Sequence, residues 1–273
     1  MFGPRLFALV LAGCLGTLPV QGADYTLSHT TLAGQVSSVD INTVAGAGVS
    51  NWQVGGVNQL NYHWFYYRVG AVGAESPIQN IDNTPAVTYN ALARTLDLTY
   101  DNGSYSVRTF FKLNSGATPN LSETITVHNH SGGNLNFSFF QYSDFDLNGL
   151  AGGQSVQFST NSVTGLYYKA VQTDGTFTIT ELVNSANPPI SHFDAQLANN
   201  TLTSLTDGNP TTLTDSTSAG VGNVTFAYQW DVSLADNQSF QLSKLLTIVP
   251  EPSALSLVLV SISIAYSIRR RKQ

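Results

Sequence analysis

The four residues Asp101-Asn102-Gly103-Ser104 separate Leu96-Asp97-Leu98-Thr99-Tyr100 from Tyr105-Ser106-Val107-Arg108-Thr109-Phe110, and both flanks alternate apolar with polar residues. Successive side chains of a strand point to opposite faces, so such a run buries one face and wets the other. Asn-Gly between two runs of this kind supplies the backbone that a tight hairpin turn requires. The same pattern recurs along the chain. Glu123–His128 and Leu135–Phe140 flank Ser131-Gly132-Gly133, and Tyr167–Val171 and Phe177–Thr180 flank Thr173-Asp174-Gly175. Val224–Leu234 and Phe240–Ile248 flank Ala235-Asp236-Asn237. Four hairpins in series predict an all-β fold, a large antiparallel β-sandwich.

Other stretches refine this expectation. Tyr62-His63-Trp64-Phe65-Tyr66-Tyr67 is apolar on both faces and predicts a strand in the middle of a covered sheet. Ser191-His192-Phe193-Asp194 has the spacing of a helix start, because a Ser followed by an acid three residues later can satisfy free N–H groups. Asn199 to Asn223 is polar and turn-rich and predicts a long exposed excursion. No sequence repeat and no internal linker interrupts residues 24–248, so they form one predicted domain.

Charged residues make up 10% of the chain, far below the usual quarter or so, with Asn, Thr, Ser and Gly in their place. That composition suits a surface or secreted β protein. The formal net charge of −6 excludes nucleic acid as a partner, since nucleic acid requires a basic patch. Residues 1–23 have the parts of a secretory signal peptide: Arg5, the apolar run from Leu6, and small residues at Gly22 and Ala23, after one of which cleavage is expected. Leu11-Ala12-Gly13-Cys14 also resembles a lipobox, in which Cys14 would carry lipid. If the signal is removed after Gly22 or Ala23, the only cysteine leaves with it and the mature chain has no disulfide.

At the other end stand Val249-Pro250-Glu251-Pro252-Ser253, an apolar run over 254–268, and Arg269-Arg270-Arg271-Lys272. A helix over 254–268 is about 22 Å long at ~1.5 Å per residue, which makes it a minimal transmembrane helix against a hydrocarbon core of ~30 Å. The cations that follow should stay on the cytoplasmic side of the inner membrane and leave the body outside. Motif, short apolar helix and basic end, in this order over 249–273, resemble the PEP-CTERM sorting signal of Gram-negative bacteria that make exopolysaccharide. The resemblance implies that an exosortase-like membrane enzyme recognises Pro250-Glu251-Pro252 and removes the tail, so that anchoring is transient. The protein would then reach the cell surface or extracellular matrix.

Asp144-Phe145-Asp146-Leu147-Asn148-Gly149 has the D-x-D-x-N-G spacing of a calcium loop, with Asp144, Asp146 and Asn148 as candidate ligands. The twelfth position is Ser155, so the bidentate Glu of an EF-hand is missing, and the same residues also fit a strand ending in a turn with two solvated carboxylates. No cofactor other than that Ca2+ is expected. His128 and His130 fit turn-flanking polar residues better than a zinc pair, because no third ligand is local. Trp52, Trp64, Trp230 and the tyrosines around Tyr62–Tyr67 fit a sandwich core, or else a sugar-stacking platform if exposed. The body has only Glu75, Glu123 and Glu181 as glutamates, each in a different segment, and no Gly-x-Ser-x-Gly elbow. The expectation is a non-catalytic structural or binding protein associated with exopolysaccharide. A glycan-binding module and a secreted polysaccharide-active enzyme are the alternatives.

Overall fold

The computed structural model describes residues 24–251, apart from 31–33, 35, 45, 117, 185 and 186. Two nine-stranded antiparallel sheets face each other, and the chain moves between them repeatedly. It lays down the first sheet with β1 (Asp24–Thr30), β2 (Val36–Asn42), β3 (Gly48–Val54), β4 (Val57–Asn58), β5 (Tyr62–Val69) and β6 (Ser76–Pro77). The second sheet follows with β7 (Ala86–Asn90), β8 (Thr95–Asp101), β9 (Tyr105–Leu113) and β10 (Asn120–Asn129). β11 (Leu135–Asp144) returns to the first sheet, and β12 (Gln154–Thr160), β13 (Tyr167–Thr173) and β14 (Phe177–Val183) extend the second. β15 (His192–Leu197) and, after helix α1 (Asn200–Thr206), β16 (Ser218–Gly222) split between the first and second sheets. Finally β17 (Val224–Leu234) joins the first sheet and β18 (Ser239–Pro250) runs through the second, between β14 and β10.

The alternating pattern is realised most clearly in β10, where every second residue is buried along the strand's length. β5 is buried on both faces, as its unbroken apolar run requires, and lies between β3 and β11. Its odd-numbered residues His63, Phe65 and Tyr67 face the second sheet, where Phe65 stacks with Phe111 and Tyr67 meets Tyr105. Two expected hairpins form. β8 pairs with β9 around a turn in which Gly103 has φ 83° and its N–H donates to Asp101, and β13 pairs with β14.

The other two do not. β10 and β11 lie in different sheets, as do β17 and β18, so Ser131-Gly132-Gly133 and Ala235-Asp236-Asn237 are corners between layers. The physical reason is a shared stitch. Asn129 donates its side-chain amide to the carbonyls of Gly133 at 2.7 Å and Leu234 at 2.9 Å, and Gly132 N–H donates to Asp236 at 2.9 Å. Both corners are thereby tied together at one end of the sandwich, and each strand finds its ladder partners elsewhere.

One further expectation is corrected and one refined. Residues 192–197 form strand β15, not a capped helix, because β17 offers them a continuous antiparallel ladder and Phe193, Asp194 and Ala195 are all buried there. The polar segment after it is mostly exposed, as expected, but it is ordered: it carries α1 and β16, and Leu205 and Leu213 are buried anchors along it. At the chain's far end the last strand runs through Pro250, and Glu251 still holds the body, its N–H donating to Thr176 and its carboxylate accepting from Thr178 at 2.6 Å. Pro252, Ser253, the run 254–268, the basic end 269–272 and the signal segment 1–23 lie outside the described residues, as does Cys14. Among the described residues no helix is long and apolar enough to cross a membrane.

Candidate functional site

The outer face of the first sheet, turned away from the second, is built in rows, because paired strands bring their side chains side by side. Arg68 on β5, Ser138 on β11 and Asp231 on β17 occupy one row by register. Tyr66, Phe140, Gln229 and His192 form the next, and Trp64, Tyr142, Ala227 and Asp194 the one beyond. At the far end Asp144 pairs with Tyr62. The middle rows are roofed by the chain itself. Gln79 accepts from Trp64 Nε1 at 2.8 Å, and Asp194 accepts from Thr201 at 2.9 Å and Thr214 at 2.6 Å.

Where the roof stops, a pocket of about 460 Å³ opens, lined in part by Arg68, Asn136, Ser138, Gln229, Asp231 and Ser233. Its polar groups are fixed by their neighbours. Arg68 pairs with buried Glu75 and donates to the Thr211 carbonyl at 2.7 Å and to Ser138 at 3.3 Å. Ser138 donates to Asp231 at 2.6 Å, and Gln229 donates to both Asp231 oxygens at 2.9 and 3.0 Å. Thr211 N–H in turn donates to Glu75 at 2.9 Å, and Leu213 N–H to Gln229 at 3.0 Å. Asp231 is exposed, while Arg68 and Ser138 are buried. A guanidinium, a hydroxyl, an amide and a carboxylate therefore converge on one solvent-open space, held without the freedom to turn away.

A second polar cluster lies between the sheets and is fully enclosed. His63 contacts Glu123 at 3.0 Å, Lys244 contacts Glu123 at 2.7 Å and Glu181 at 3.4 Å, and Gln141 donates to Glu181 at 2.7 Å and to Ser143 at 3.0 Å. Burial alone would raise the Glu123 pKa, but His63 and Lys244 outweigh it and hold the carboxylate down at about 2. No side chain of this cluster reaches solvent. It locks the two layers together and offers nothing to a ligand.

The expected site residues distribute unevenly. Trp52, Trp64 and Trp230 are fully buried, so the tryptophan stacking platform does not exist and the core reading holds. Asp144 ends β11 and is buried, Asp146 caps the short turn that follows and is half-buried, and Asn148 is exposed in a left-handed turn with φ 60°. His128 bonds Ser239 at 2.8 Å and His130 meets Asp101 at 3.2 Å, as turn-flanking residues. Among the described residues no three His, Cys, Asp or Glu side chains gather as a metal centre. Of the motif at 249–253, Val249 and Pro250 end β18 and Glu251 is bonded to β14. The Arg68 row was missed because its members come from segments as far apart in sequence as 68 and 231. Alternation assigned each residue to a face, but only strand order makes them neighbours.

No family model and no curated protein matches this chain. Solved structures do share its fold. A bacterial glucoamylase complexed with acarbose superposes with a TM-score of 0.55 at 10% identity over 85% of this chain, which spans about a third (34%) of the glucoamylase's length. A protein of Escherichia coli K12 named for aldose 1-epimerase activity gives 0.54 at 11% identity, covering 84% of this chain and 100% of that one. A protein of Synechocystis sp. PCC 6803 gives 0.52 at 10% identity, with 90% and 100% covered. This likeness corrects the expectation of a non-catalytic body: the fold is one that two proteins named for activity on sugars also have, so the few scattered glutamates do not argue against catalysis. The chain has the large antiparallel sandwich fold that a glucoamylase and an aldose 1-epimerase-type protein also have.

Proposed function

We propose that the Arg68–Ser138–Asp231 pocket binds a saccharide. Adjacent sugar hydroxyls each donate and accept, and they suit a carboxylate and a guanidinium fixed side by side. The observation that carries this reading is the row itself: three neighbouring strands place a buried Arg68, braced at both terminal nitrogens, and an exposed Asp231 on either side of Ser138. The volume of about 460 Å³ suits one or two sugar rings. With every tryptophan buried, recognition here rests on hydrogen bonds. Calorimetric titration of the purified chain with a panel of hexoses, uronic acids and short oligosaccharides tests it. Saturable binding by at least one, lost in Asp231→Asn, supports the reading, and no binding by the whole panel rejects it.

A second reading makes the bound sugar a substrate. Asp231 is the one carboxylate that both lines the pocket and is exposed, which places a proton acceptor where a ring hydroxyl would sit. Accelerated interconversion of sugar anomers, followed by NMR and abolished in Asp231→Asn, checks it.

The ends of the chain support a place for this activity. Residues 1–23 have the composition of an export signal, and 249–273 resemble the exosortase-processed tail, so the body would be delivered outside the inner membrane among exopolysaccharide. Intact-mass measurement of the protein from its own host decides this: a mature product still carrying Arg269–Arg271 rules out removal of the tail.

A further inference from the structure

We infer that Asp144 and Asp146 form a site for a hard divalent cation, calcium in the first instance, at the end of the first sheet's outer face opposite the sugar pocket. Asp144 is 97% buried (3% exposed), yet its Oδ1 has no hydrogen-bond partner, and the buried Oδ1 of Asp146 likewise has none. Among the described residues neither carboxylate has an ion-pair partner. A buried carboxylate oxygen without donor or cation is costly, and two of them two residues apart in one turn are costlier still.

The surroundings are arranged to present oxygen and to hold the loop in place. Asn61 donates its side-chain amide to the other Asp144 oxygen at 2.9 Å and its backbone N–H to the Asp144 carbonyl at 3.0 Å, fixing the carboxylate's orientation. The turn after Asp146 is pinned from both sides, Asn148 N–H donating to Gln59 at 2.9 Å and Gly149 N–H to the Asp146 carbonyl at 2.9 Å. Tyr142, two residues before Asp144 on the same face, donates its hydroxyl to the Asn199 side-chain oxygen at 3.5 Å. Two negative charges without a counter-charge, amid neutral oxygens, suit an ion of charge +2 that takes oxygen ligands. Water would complete the coordination on the open side, where Asp146 is half-buried and Asn148 exposed.

The test uses the full chain freed of metal by a chelator. Calcium chloride is titrated by calorimetry, and terbium luminescence is excited through tyrosine, since Tyr142 lies two residues from Asp144 on the same strand face. One ion per chain with a dissociation constant of about 10⁻⁴–10⁻³ M is expected, with terbium emission displaced by calcium. Asp144→Asn and Asp146→Asn should each weaken binding by more than about tenfold. The half-buried Asp146 variant keeps the test sound if loss of Asp144 prevents folding. Absence of saturable calcium binding by the folded wild-type chain overturns the inference, and so does binding that Asp146→Asn leaves unchanged.

Discussion

Asn129 donates its side-chain amide to the carbonyl of Leu234 at 2.9 Å, and this one bond joins two corners at which the chain changes sheets. The same amide serves Gly133, and the Asn129 backbone accepts from Asn237 and donates to Gln238. Replacing Asn129 with Ala takes the amide from two carbonyls, but Gly133 keeps the Ser131 hydroxyl and solvent, so the cost falls on the buried bond to Leu234, about 1–3 kcal/mol. The expected result is a loss of about 1–3 kcal/mol in urea unfolding, with the slope unchanged. Asn134→Ala, beside the same corner, should stay within about 0.5 kcal/mol.

Acid should unlock the two layers from each other. The Glu123 carboxylate sits at about 2 in the fold against 4.5 in the open chain. Its contribution is complete above pH 4.5 and drains away as the pH falls toward 2, in total on the order of 3 kcal/mol. Stability measured by circular dichroism should decline across that window. In Glu123→Gln the decline there should be smaller, from a lower starting stability.

Lys244 is the cation between two buried glutamates, so its loss should be severe. Lys244→Met leaves Glu123 and Glu181 without it and should cost about 3–5 kcal/mol. Adding Glu181→Gln should recover part of that loss, and a double-mutant cycle on stability measures the coupling.

Asp231→Asn should reduce saccharide affinity at least tenfold while leaving the melting temperature within a few degrees, because the side chain is exposed. Arg68→Ala should abolish binding and also destabilise the fold, since Glu75 is left buried without its partner. Calorimetry and thermal unfolding on the same samples separate the two effects.

Iodide should barely quench the intrinsic tryptophan fluorescence of the folded protein, because Trp52, Trp64 and Trp230 are fully buried. Exposure to free-solution levels should appear only on unfolding.

Local pattern and layer assignment separate cleanly here. Alternation in Thr95–Asp101 and Tyr105–Leu113 and an intervening Asn-Gly suffice for a hairpin, since pairing is settled within a few residues. The same grammar around Ser131-Gly132-Gly133 describes a corner, and nothing local distinguishes the two outcomes. The difference lies in which distant strand outcompetes the neighbour: β18 and β9 for β10, β17 and β5 for β11. Ser191–Asp194 failed for a related reason, because a cap signal has no force where β17 offers a ladder. Asp144 and Asp146 were visible because their relation is local. Arg68, Ser138 and Asp231 were not, because strand order alone makes them a row.

β18 lies between β14 and β10 and runs to Pro250, immediately before the tail. A pull transmitted through Glu251 is therefore shared at once by two long ladders loaded in shear, where an edge strand would peel one bond at a time. Were the following tail to tether the body as proposed, the body could withstand drag, and cutting beyond Glu251 would leave both ladders whole.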